Sequence, residues 1–113
     1  MAKYLISFPS PAMVFPAEDF ETVAAESHAV IEEAKAAGVY VFGGGIDEDV
    51  AAVCVDADGR VIAGTYEQTK ELNGGYTILE LPTREAAVEW AAKIAAACRC
   101  AQELREFQYD PQS

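Results

Sequence analysis

Only two stretches of this chain repeat apolar residues at helical spacing, and short strand-like runs lie before, between and after them. That pattern restricts the fold to a sheet carrying two helices. The first helical stretch begins near Glu18 and places Phe20, Val23, Ala24, Ser27, Val30, Ile31 and Ala34 on one side, with Glu21, Glu26, Glu32, Glu33 and Lys35 elsewhere on the wheel. Gly38 is its expected stop, because glycine takes the left-handed conformation that closes a helix. In the second stretch, Thr83 is the expected N-cap, and Ala87, Trp90, Ala91, Ile94 and Cys98 form the apolar stripe.

Residues 3–8 read as a first strand that Pro9 and Pro11 end, and Val39-Tyr40-Val41-Phe42 as a second, closed by Gly43-Gly44-Gly45. Residues 51–55 and 60–63 flank Asp56-Ala57-Asp58-Gly59, whose Asp-Gly pair suits a tight hairpin. Residues 75–81 make the next strand, and 103–109 suit a last strand near a sheet edge. The order β-α-β-β-β-β-α-β predicts an α+β fold: a ferredoxin-like antiparallel sheet with both helices on one face, in a single domain over 1–113. Two helices cover one side only. Because alternating positions such as Tyr4, Ile6, Val53, Val55, Tyr76 and Ile78 put apolar groups on both faces, a second copy is expected to cover the bare side, giving a dimeric α+β barrel with a cleft between sheet and loops.

Charge narrows the partners. A net charge of −11, from 19 acids against eight basic groups, repels phosphate backbones and anionic membrane surfaces, so neither nucleic acid nor membrane is an expected partner. The apolar start is cut short by Pro9 and Pro11 and fails as a signal peptide or a span. Cys54, Cys98 and Cys100 form an odd set with no disulfide framework, which reads as reduced thiols in a cytoplasmic protein. One histidine and three scattered cysteines have no zinc spacing, and no metal or cofactor is expected.

His28, the sole histidine, falls at the border of the first helix's apolar stripe, where an imidazole could reach a cleft and act as general acid or base; the plainer reading is a half-buried, hydrogen-bonded helix residue. Between two strands, the glycine-bounded connection 63–76 carries Gly64, Tyr66, Thr69, Lys70 and Glu71, types that together could hold a small polar ligand. The plainer reading is an exposed Lys70–Glu71 ion pair, with Tyr66 packing the loop on the barrel. Gly44 could allow a ligand close to the backbone; the plainer and favoured reading of the three glycines is a bulge or turn.

These residues resemble the YCII-related family, in particular its DGPF branch. The similarity runs through the opening Lys-Tyr-Leu-Ile strand, the helix with His28 that ends Ala36-Ala37-Gly38-Val39, the Gly43-Gly44-Gly45 patch, the hairpin, Glu67-Gln68-Thr69-Lys70-Glu71 leading into Gly74-Gly75-Tyr76, and Ala86 to Ala91, to a terminal Glu103-Leu104-Arg105. The resemblance implies a ferredoxin-like fold, a dimeric barrel and a ligand pocket, with members tied to small-molecule conversions, including a dehydrochlorinase, and to sigma factors. Where the branch reads Asp-Gly-Pro-Phe, this chain has Ala63-Gly64-Thr65-Tyr66. Loss of that acid removes the branch's carboxylate partner for His28, with Asp47, Glu48 or Glu67 as the nearby acids that could take its place. Two functions remain open: a homodimer binding a small molecule in its cleft, with catalysis undecided, or a non-catalytic accessory protein that works with a transcription regulator.

Overall fold

A computed structural model describes residues 1–113. Its strands and helices follow in the order β1 (Ala2–Pro9), α1 (Phe20–Ala36), β2 (Tyr40–Gly45), β3 (Val53–Val55), β4 (Val61–Ala63), β5 (Gly74–Leu81), α2 (Arg84–Cys98) and β6 (Glu103–Glu106). Strands β2-β5-β1-β6 form one antiparallel sheet in that spatial order, and β3 and β4 pair only with each other. The fold is α+β and ferredoxin-like, with both helices on the same side of the four-stranded sheet.

Helix ends follow local chemistry. Beyond α1, Gly38 adopts φ +75°, and the amides of Gly38 and Val39 donate to the carbonyls of Lys35 and Ala34, closing the last turn. Phe20, expected inside the helix stripe, is exposed at its first turn, and Val23 and Ala34 are the residues α1 buries. Thr83 caps α2, its hydroxyl accepting the Ala86 amide at 3.1 Å. Glu26 pairs with Arg99, and Glu33 with Lys93, fastening α1 to α2 at the surface.

The core lies between helices and sheet. Tyr4 and Ile6 from β1 and Leu79 and Leu81 from β5 meet Ala34, Ala87, Ala91, Ile94 and Cys98. Alanines along α2 let it approach the sheet closely, as the stripe predicts. A small apolar gap of about 60 Å³ remains here, bordered by Tyr40, Trp90 and Cys98. Burial pushes the Cys98 thiol's pKa up, so it stays a thiol, with the Ser27 hydroxyl 3.8 Å away.

Tyr4 and Ile6 face the helices and Tyr76 and Ile78 the open side, so the sheet carries apolar groups on both faces, as the alternation implies. Two other expectations are corrected. Val53 and Val55 belong to neither face, because the hairpin leaves the main sheet altogether. At the point of departure the glycines continue β2 in regular pairing, and the irregularity in register falls just before them, between Tyr40 and Phe42. Gly75 is set by contact: a Cβ there would meet the Phe8 ring at 2.5 Å.

Segment 46–73 is an arm. Its base is held by the Ile46 amide on the Gly74 carbonyl (2.8 Å), the Ser10 amide on the Asn73 carbonyl (2.9 Å) and the Ser10 hydroxyl on Glu48 (2.8 Å). At the tip, Asp56 accepts from the amides of Asp58 and Arg60, and Gly59 takes φ +83°. The molecule measures 43 × 42 × 20 Å, and its radius of gyration is 15.7 Å. A compact domain of this length has about 13 Å.

Candidate functional site

Side chains of a strand alternate between faces, so burying Tyr4 and Ile6 under the helices turns Leu5 and Ser7 to the opposite side. Strand register then aligns two ranks across this open face. One runs Gly44, Tyr76, Ser7, Glu103, and the next runs Phe42, Ile78, Leu5, Arg105. The first rank is polar apart from glycine, and the second apolar until Arg105.

Where these ranks meet the returning end of the arm, a hollow of about 270 Å³ opens, bounded by Leu5, Ser7, Leu72, Tyr76, Glu103 and Arg105, with Glu71 beside them. Ser7 is the sole polar residue in the buried set, 5% exposed. The Tyr76 hydroxyl donates to the Leu72 carbonyl at 2.8 Å, fastening the arm's return to the sheet. Burial pushes the Tyr76 phenol's pKa upward; Arg105 acts against that and Glu103 with it. At neutral pH it is a neutral donor and acceptor.

Arg105 and Glu103 lie 3.4 Å apart, long for a charged hydrogen bond, so the guanidinium retains donors for an incoming oxygen. The arrangement offers a hydroxyl, a phenol, a cation and a carboxylate around a floor of Leu5 and Leu72. Such a set suits a small, partly apolar molecule bearing oxygens. A wider trough of about 620 Å³ continues the open face past Val41, Ile78 and Lys3 to residues 106–113.

The residues singled out from the sequence are not gathered at one point. Gly44 is the cross-strand partner of Tyr76 and sits beside the hollow. Gly64, Tyr66, Thr69 and Lys70 lie farther out on the arm and are exposed. Lys70 pairs with Glu67 at 2.7 Å, not with Glu71, which turns instead to the hollow. Tyr66 does not pack the loop on the sheet; it is 75% exposed, and its carbonyl accepts the Thr69 amide. His28 is exposed on α1, across the sheet from the open face, and borders none of these hollows. A helix residue turns with the azimuth its packing imposes, and Val23 and Ala34 set that azimuth here.

Ser7, Glu103 and Arg105 are not among the expected site residues, although Glu103-Leu104-Arg105 belongs to the family resemblance. Their signal is a serine within the mostly apolar first strand and an alternation of charge in the last one, and neither shows which sheet face the helices take.

The architecture defines an α+β domain of the ferredoxin-like kind. The YCII-related domain matches residues 3–106, and the chain belongs to that family. Among solved structures it is similar to 5-chloro-2-hydroxyhydroquinone dehydrochlorinase from Burkholderia phenoliruptrix in complex with 2,5-dihydroxybenzoquinone, at 16% identity and a TM-score of 0.52, covering 97% of each chain. No curated protein matches. No helix is long and apolar enough to cross a membrane.

Proposed function

We propose that this chain binds a small oxygen-bearing ring compound in the open-face hollow, as a cytoplasmic homodimer of the DGPF kind. The observation that carries the reading is the convergence of buried Ser7, the Tyr76 phenol and the Arg105 guanidinium on one cavity with an apolar floor. Arg105 would meet a ligand carboxylate or phenolate, Ser7 and Tyr76 a hydroxyl, and Leu5 and Leu72 the ring. The dihydroxyquinone held by a structurally similar dehydrochlorinase supports this ligand class. Free cysteines suit a reducing compartment. Gly64, at φ +94°, keeps the glycine of the branch motif at a position where only glycine is unstrained.

Thermal shift tests the reading, with 2,5-dihydroxybenzoquinone and hydroxylated benzoates as probes. A ligand at a hundred times its Kd stabilises by about 2.7 kcal/mol, which raises Tm on the order of 10 °C for a domain of this size. Arg105→Ala should remove most of that rise. No shift with any compound, while a protein co-purifies with the wild type, would replace this reading with the accessory-protein one.

A further inference from the structure

We propose that the 46–73 arm of one subunit lies over the open sheet face of a second copy, so that each hollow is completed in trans. This rests on the ligand site above and adds where its outer wall comes from. Three observations point the same way.

First, the arm is built to be covered. Residues 50–55 and 61–66 hold no charged group in a chain of net charge −11. Pairing of Val53 with Ala63 and Val55 with Val61 gives the hairpin an all-apolar side, and the three valines are 50 to 63% exposed. Two strands of three residues do not hold a fold alone in water.

Second, the missing cover has the size of a subunit interface. The accessible surface is 7915 Å², whereas a compact monomer of 12.1 kDa exposes about 6,000 Å². The excess, about 1,900 Å², falls within the roughly 1,000–2,500 Å² that each partner hides in an obligate dimer.

Third, the chain itself supplies the matching surface. Val41 and Phe42 are exposed on β2, next to Ile78 and Leu5. The hairpin pairs with no strand of its own sheet, which leaves that surface to the arm of another copy. Two-fold symmetry then closes both contacts at once, with no free end to propagate. Tyr66 and Thr69 travel with the arm to the partner's hollow.

Replacing Tyr66 with the photocrosslinker p-benzoylphenylalanine, in dimers refolded together from ¹⁴N- and ¹⁵N-labelled chains, separates the geometries. Mixed-isotope crosslinks into β1, β2 or β5 are expected. Crosslinks confined to one chain, or none to those strands, overturn the proposal. In parallel, Val55→Asp with Val61→Asp should raise the dimer dissociation constant at least 100-fold in sedimentation equilibrium while the circular dichroism of the body is kept. A dimer that survives both aspartates, or a wild type that is monomeric at tens of micromolar, also overturns it. A monomer that binds the quinone would defeat this inference alone; a trans-crosslinked dimer that binds none of the ring compounds would defeat the ligand reading alone.

Discussion

The body and the arm are made of similar residues and are buried to opposite extents. Both contain β-branched, charge-poor strands, yet all twelve buried residues lie in the body and none in segment 46–73. The difference is length and neighbours. Strands β1 and β5 run eight residues each, pair along their full length and receive two helices, whereas β3 and β4 have three residues and only each other. Propensity makes a strand in both places, and packing area decides which one is stable by itself.

The contrast breaks down if truncation in the body is harmless. Leu79 is fully buried, so Leu79→Ala should cost about 3 kcal/mol in urea unfolding, by lost transfer energy and a residual cavity. Gly75→Ala, at the seam between body and arm, should cost about 2 kcal/mol, because the Phe8 ring must move from the space a Cβ takes. Loss of the α2 cap through Thr83→Ala should cost about 1 kcal/mol.

A pH prediction concerns the open face. Raised in the fold, the Tyr76 phenol binds its proton more tightly in the native than in the unfolded chain. Stability is therefore complete below the ordinary phenol range and falls as pH climbs through it toward the raised value. Tyr76→Phe should flatten that alkaline decline, read from unfolding midpoints across the range, and remove one late-titrating tyrosine from the ultraviolet titration.

The smallest effect sharpens the comparison most. Amides of β3 and β4 should exchange with solvent far faster than those of β1 and β5 in dilute protein, and should slow as concentration rises while the body's stay constant. Equal protection at every concentration would mean the arm is stabilised within its own chain. His28→Ala should leave ring-compound binding unchanged, because the imidazole lies across the sheet from the hollow.

Much of the fold was legible. Gly38 and Thr83 mark helix ends because their signals are local: a left-handed residue after the last turn and a hydroxyl before the first. Asp56 and Gly59 mark the hairpin for the same reason. The candidate site was far less legible. Gly44 lies beside the hollow, but Ser7 and Arg105 come from strands about a hundred residues apart, joined only by the β1–β6 pairing.

The order of strands and helices, the ends of the helices and the turn of the hairpin are determined by the sequence itself, since each depends on contacts within a few residues. Tertiary structure alone decided which face of β1 meets the helices, that the hairpin stands away from the sheet, and that His28 points outward. Those outcomes depend on which distant surfaces pack. A one-residue change in register exchanges the two sides of a strand, and one residue along a helix turns a side chain by about 100°.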